Sequence, residues 1–469
     1  EEWRLGQGAS SRMRDKYFPI LFKDSQYAQR LPIGKIDVLQ NDDNDAVRNF
    51  YKNWYRPDLF AIVAVGDFDP QQVKSLIEKH FKNIEGPVNP PKREFYDVPD
   101  HEETLYAIAT DVEAPRTSVA VYYKRDVKEL SIVGDYRTSL VERLYNQMLS
   151  NRLDELRRKA DPPFLYASSA SGRFVRTKDV YYLGAGVKED GVTRGLEALF
   201  TESLRVKKYG FVESELERAK ISMLRGYERA FSERDKTESS SYAREYVNNF
   251  LENETIPGIE NEYYYAKSFL PGVSVEEVNG LISSFISDDN KVVVVQMPEK
   301  DGVEIPTEDE LAKVMCAAMQ QDIQPYEDSV SDAPLLAKIP TAGNLVKEEH
   351  IDDVDLFEWT LSNGVKVVLK STNFKNDEIR FSGKSWGGSS LGNDQDWYSL
   401  RSASAIINQS GWGEFDAIAL RNKLSGKIAN VYAEISETME SLSGSASPKD
   451  IETLFQLIYL SFTAPRMDD

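Results

Sequence analysis

The alternation of apolar and polar positions is clearest over residues 45–69, DAVRNFYKNWYRPDLFAIVAVGDFD. Val47, Phe50, Tyr51, Trp54 and Tyr55 recur at helical spacing, which gives one apolar, aromatic helix face. Arg56-Pro57-Asp58 then ends the helix, because proline cannot continue the hydrogen-bond ladder. Residues 59–65 are continuously apolar and rich in β-branched side chains, the pattern of a buried strand. A turn from Gly66 to Pro70 leads into an amphipathic helix over 71–81. The order of helix, break and buried strand returns over residues 271–296, where Val47 aligns with Val278, Trp54 with Phe285, and residues 61–64 with the valine run 292–295. A repeat at that separation is a whole domain rather than a solenoid unit.

Ahead of this unit, residues 1–16 are charged and helix-compatible, and residues 17–44, with Pro19, Pro32 and Gly34, read as loop. Four prolines make residues 84–103 an extended linker. Beyond it, 105–111 and 117–126 are strand candidates, 135–159 is a long amphipathic helix, and 165–174 with 180–189 form a β-pair. Helices follow over 192–209, 212–231 and 237–253. Residues 298–350 are acidic and proline-spotted around a helix at 308–319, a connector between two halves. Asn363-Gly364 between two apolar runs is the strongest hairpin signal in the chain. Helices over 397–408, 414–425 and 447–462 and a strand pair within 428–437 complete the pattern. Strands grouped apart from helices predict an α+β fold, repeated domains each with an antiparallel sheet covered by helices. The divisions are 1–83 as part of a first domain, 84–103 linker, 104–297 a second domain, 298–350 connector, and 351–469 part of a third.

With 41% hydrophobic and 11% aromatic residues, the 469-residue chain can bury a sizeable core. Its 57 basic against 77 acidic residues leave a net charge of −20, which makes nucleic acid a poor partner. The single Cys316 excludes an internal disulfide and a cysteine metal cluster, and reads as a small apolar helix residue. No stretch reaches the roughly eighteen apolar residues of a membrane span. The sequence opens on Glu1-Glu2-Trp3-Arg4 without an initiator methionine, as though inside a helix, and reads as a fragment of a longer protein.

Several pieces together resemble the pitrilysin-like zinc metallopeptidases, the inverzincins that include mitochondrial processing peptidase and insulin-degrading enzyme. The pieces are the opening Glu-Glu-Trp-Arg, the loop Arg30-Leu31-Pro32-Ile33-Gly34, and Phe50-Tyr51-x-x-Trp54-Tyr55-Arg56-Pro57 leading to Val65-Gly66-Asp67-Phe68. Thr360-Leu361-Ser362-Asn363-Gly364-Val365-Lys366-Val367 looks like the start of a second pair of family domains. The resemblance implies hydrolysis of peptides by zinc-activated water, with H-x-x-E-H on one helix and a further glutamate ligand on a later one. It covers nearly the whole chain and is greatest for the bacterial two-half members, which places the parent in the periplasm or cell envelope.

This sequence departs from the family pattern at its centre. No H-x-x-E-H is present, and its three histidines, His80, His101 and His350, are far apart and read as surface or linker residues. By the resemblance the remaining zinc ligand is Glu2, with Glu1 its exposed neighbour; without the resemblance, both are acids favoured at a helix start. Residues 399–406 fall where a second H-x-x-E-H would lie and hold neither histidine nor glutamate, as in the family's inactive half. The expectation is a fragment of a Zn²⁺ endopeptidase that encloses peptide substrates between two halves, itself inactive and not holding zinc. The alternative is a non-catalytic peptide-binding or scaffold subunit, in a homo- or heterodimer. Gly387-Gly388-Ser389-Ser390 reads as a strand-to-helix turn, since no lysine follows at phosphate-loop spacing. Tyr122-Tyr123 and Tyr263-Tyr264-Tyr265 read as packing, and Arg56 as a cation at a helix C-terminus.

Overall fold

Four consecutive valines, Val292 to Val295, lie on the strand around which the largest sheet is built. The structure is a computed structural model that describes residues 1–41, 44–329 and 331–466. The chain divides into two compact units, residues 1–220 with 238–328, and residues 221–237 with 329–469.

The first unit opens with helices α1 (Glu2–Leu5), α2 (Ala9–Leu21), α3 (Ile36–Asn41), α4 (Asn44–Trp54) and α5 (Pro70–Phe81). Strands β1 (Leu105–Asp111) and β2 (Thr117–Asp126) precede the long α6 (Val133–Arg157), and β3 (Tyr166–Val175) and β4 (Lys178–Val187) form a hairpin. Helices α7 (Val192–Tyr209), α8 (Glu213–Ser232), α9 (Ser239–Glu252), α10 (Gly258–Phe269), α11 (Val275–Gly280) and α12 (Ile282–Phe285) lead to β5 (Lys291–Pro298) and α13 (Glu308–Gln320). The sheet order is β1-β5-β2-β4-β3, and every pair is antiparallel except β1 with β5. That one parallel pair joins two strands whose connection runs through the rest of the unit, as a parallel pair requires.

Glycine and charge fix the turn between α7 and α8. Gly210 sits at φ +75°, where a Cβ would meet the Asn279 amide at 2.4 Å, so only glycine fits. Its carbonyl accepts from Arg152, which is 1% exposed on its side chain and grips Glu215 through two bonds of 2.7 Å, with Glu202 at 3.3 Å. Tyr326 lies under the same guanidinium at 4.1 Å. Tyr123 packs as expected, buried beside Tyr181, which stacks on Phe285 at 4.5 Å, whereas Tyr264, also expected to pack, is exposed.

The second unit contains β6 (Leu345–Ile351), β7 (Leu356–Leu361) and β8 (Lys366–Leu369) as one three-stranded sheet. A second sheet, in the order β10-β11-β9, comes from β9 (Ile379–Trp386), β10 (Ala429–Ile435) and β11 (Met439–Ala446). Helix α14 (Trp397–Ser410) packs the partly buried Ile407 on its core, which α15 (Ala417–Lys423) and α16 (Ile451–Thr463) supply with Leu420, Leu454, Leu457 and Leu460 against Val431 and Ala446. The Asn363-Gly364 hairpin forms, with Gly364 at φ +86°.

Several expectations change. Residues 59–65 form no strand: Pro57–Leu59 is a 3-10 turn, Phe60 is extended, and Phe60 and Ile62 face solvent. The apolar face of α4 is likewise exposed, with Phe50 at 60%. A β-rich sequence needs a neighbouring strand to satisfy its backbone, and none pairs with this segment among the described residues. The corresponding valine run became β5 because β1 and β2 flank it. Helix α2 runs through Pro19 to Leu21 where a loop was expected, because Met13, Leu21 and Phe22 are buried against β1 and β5 residues. Residues 428–437 give one strand, β10, whose partner β11 lies beyond them. Strand β6 falls within the expected connector, and Cys316 is exposed on α13 rather than packed.

Lys124 on β2 is 2% exposed, and its ammonium donates to the carbonyl of Leu21 at the C-terminus of α2, 3.3 Å away. Burial pushes its pKa down from 10.5 to about 8. The folded state therefore resists protonation, so this residue's cost is fully present below about pH 8 and disappears as pH rises towards 10.5. Lys124→Met is expected to stabilise the chain at pH 7 by about 1–2 kcal/mol, the desolvation relieved less the hydrogen bond lost. Urea titrations across pH 7 to 10.5 should show the difference from wild type shrinking with pH; a constant difference would contradict this. Arg152→Ala strands two buried carboxylates and should cost about 3–5 kcal/mol. Arg194→Ala, which breaks an exposed pair with Asp161, should cost under about 1 kcal/mol in the same titration.

Candidate metal-ligand helix

Helix α1 begins at Glu2, with Glu1 as its N-cap residue. Glu1 is occupied: both its carboxylate oxygens accept from Arg4, at 2.6 and 2.7 Å. Glu2 is exposed, and among the described residues its carboxylate has neither a hydrogen bond nor an ion pair. Of the two opening acids it alone is therefore free to bind a cation. The Leu31-Pro32-Ile33-Gly34 loop comes close to the end of this helix, where Ile33 lies 3.9 Å from the position a Cβ would take at Gly6.

The histidines stay apart. His80 belongs to α5. His101 is half-buried, shares its Nδ1 with the Glu103 carbonyl at 2.7 Å, and has its pKa lowered by burial. His350 on β6 faces Asp352 at 2.8 Å and Asp355 at 3.2 Å. No group of three or more His, Cys, Asp or Glu side chains among the described residues could hold a metal ion. Glu2 is the one expected ligand of a zinc site, and no group of described residues around it completes such a site.

Helix α14 spans the region of the expected second motif. It is lined at its start by an open cavity of about 660 Å³ between Leu391, Asn393, Asp396, Ser399, Leu400 and Ala403. Asn393 and Asp396 bond each other there, and no histidine is present. The Gly387–Ser390 segment is the turn out of β9, with backbone bonds to Ser436 and Glu437. Arg56 is buried close to Asp58 at 3.2 Å, rather than exposed as a simple helix-end cation.

A family profile described as "Peptidase M16 inactive domain" matches residues 43–223. A zinc protease PQQL-like protein of Arabidopsis thaliana is 30% identical over 464 residues, 99% of this chain and 43% of that protein. The probable zinc protease PqqL of Haemophilus influenzae is 22% identical over 484 residues, 100% of this chain and 50% of that protein. The chain is similar to the pitrilysin-like proteases of the M16 family.

It spans about half the length of the curated relatives it matches. Among solved structures, the periplasmic protease PqqL of Escherichia coli superposes with a TM-score of 0.63 at 18% identity, over 100% of this chain and 52% of that one. Pitrilysin superposes with a TM-score of 0.57 at 14% identity, over 97% of this chain and 49% of that one. A ferredoxin protease, FusC, was solved in complex with Arabidopsis ferredoxin and also scores 0.63, at 20% identity. The family and the α+β fold expected from the sequence are both met. No helix among the described residues is long and apolar enough to cross a membrane.

Since relatives carry the name zinc protease and Glu2 is the free one of the two opening acids, zinc retention can be measured directly. The 469-residue chain, loaded with zinc and dialysed, should keep no stoichiometric metal. One zinc per chain by atomic absorption would show that other residues complete a site.

Proposed function

We propose that the full-length protein is a zinc-dependent endopeptidase and that this chain supplies its third metal ligand, Glu2, and the scaffold of its inactive-type domains. The observation that carries the reading is the free Glu2 carboxylate at the start of α1 in a chain of M16 sequence. Zinc, when bound, would activate a water for attack on a peptide bond. This chain's own part is to hold a carboxylate and to bind polypeptide, and the H-x-x-E-H ligands and general base would come from residues outside this sequence. Residues 1–83 then belong to a first peptidase-like domain, 104–297 form a second and 351–469 belong to a third, with 84–103 and 298–350 as linker and connector. The exposed apolar face of α4 and the unpaired residues 59–65 support the first of these assignments, since such surface is ordinarily covered. Substrates would be polypeptides enclosed between two halves and bound in extended form along a sheet edge. The periplasm is the compartment this reading favours, by likeness to the bacterial relatives.

A second reading is a non-catalytic peptide-binding or scaffold subunit working in a dimer. It is favoured by α14, which lacks both histidine and glutamate between residues 399 and 406.

Substituting the two opening acids separately in the full-length protein tests the proposal. Glu2→Gln should remove zinc and lower kcat/KM by more than about 100-fold, beyond the 10–100-fold typical of outer-shell changes. Glu1→Gln should leave both within a few-fold. Equal effects, or a wild-type protein without zinc or peptidase activity, would favour the scaffold reading.

A further inference from the structure

Helix α1 is four residues long, too short to hold its own direction. It joins α2 through Gly6-Gln7-Gly8, and two glycines give that joint wide backbone freedom. One side chain spans it. The Arg12 guanidinium on α2 donates to the Gln7 carbonyl in the joint, and the Gln7 amide reaches back to the Trp3 carbonyl at 3.0 Å. On its other side, Arg12 forms a two-bond pair with Asp111, both at 2.7 Å, and meets Glu113 at 2.5 Å.

Asp111 is a rigid anchor. It closes β1, its side chain is 7% exposed, and its carbonyl accepts from Glu299 just beyond β5. Arg12 holds its carboxyl down at about 2, so the pair stays charged throughout the neutral range. A bidentate arginine fixes direction as well as distance. The contacts run from the sheet to Asp111, Arg12, Gln7 and Trp3, and Trp3 is the neighbour of Glu2.

We propose that Arg12 is a positioning residue for Glu2: it transmits the fixed end of β1 to α1 and so sets where the Glu2 carboxylate stands. The inference deepens the reading of Glu2 as a metal ligand and rests on it. Lys23, just past the other end of α2, pairs with Glu103 and has no contact with the joint, which makes it the control.

Two measurements test it. In the 469-residue chain, Arg12→Gln should speed amide exchange over residues 2–7 while β1 and β5 stay protected, and Lys23→Gln should not. In the full-length protein, with zinc affinity read by chelator competition, Arg12→Gln should weaken binding about 10–100-fold, the range for outer-shell partners. Arg12→Lys should fall between, because one ammonium cannot make the two-bond pair. Unchanged exchange over residues 2–7 overturns the relay whatever the metal does. Unchanged zinc affinity in Arg12→Gln, or an equal loss in Lys23→Gln, overturns the positioning role while leaving Glu2 as ligand. A wild-type protein that binds no zinc overturns both readings.

Discussion

The insertion of β5 between β1 and β2 is the constraint on which the first unit depends. Residues 291–298 must find strands laid down some 170 or more residues earlier in the chain. Until they do, β1 has no hydrogen-bonded neighbour, since in the sheet it pairs with β5 alone. Helix α2 has no complete seat either: Leu21 and Phe22 pack on Ala107 of β1 together with Val292 and Val294 of β5. The opening helix therefore takes its place from a strand near the far end of the unit. Such long-range pairing makes folding slow, because loop-closure entropy is lost before the contacts form. The same dependence links the candidate ligand to the core, since whatever disturbs β5 also disturbs the platform behind Glu2.

Charge is used in this unit in three physically different ways. Arg152, enclosed with Glu202 and Glu215, satisfies the turn between α7 and α8 and joins it to α6, so its value lies in specificity of packing more than in net energy. Lys124 is enclosed, its ammonium donating to the carbonyl at the end of α2 with no carboxylate bonded to it among the described residues, and it exchanges stability for a fixed contact. Arg12 stands nearer the surface and orders a joint that the backbone alone would leave loose. None of the three follows from the net charge of −20, which describes the solvated surface.

How much of this could be read from the sequence depended on whether a pattern was local. Helix α7 was found at its observed limits, and α13 ends one residue beyond its predicted end, because amphipathic spacing is set within the segment. The β3–β4 pair and the 363–364 hairpin were equally visible, since turn chemistry and strand pattern adjoin. What escaped depended on distant partners. The apolar run 59–65 and the valines of β5 look alike in sequence, and only flanking strands made one of them a strand. Proline at residue 19 suggested a loop, yet burial of Met13, Leu21 and Phe22 outweighs the one backbone bond it removes. Strand β11, rich in serine and glycine, lacks the β-branched signature and exists because β9 and β10 flank it.

The candidate site shows the same limit from the side of chemistry. The sequence offered two adjacent glutamates and no spacing within this chain that could separate them by function. The distinction appears only with Arg4, one turn on, which takes both oxygens of Glu1 and none of Glu2. A carboxylate already bonded to a guanidinium must give up that pair before it can bind a metal, whereas an open one need only shed water. Arg12 carries no motif at all, because its importance comes from Asp111, 99 residues away in the sequence and adjacent in space. A ligand's identity can thus be guessed from a family pattern, but its availability and its direction are properties of the folded neighbourhood. In this chain one arginine, Arg4, occupies Glu1, and another, Arg12, ties the joint beside Glu2 to the end of β1.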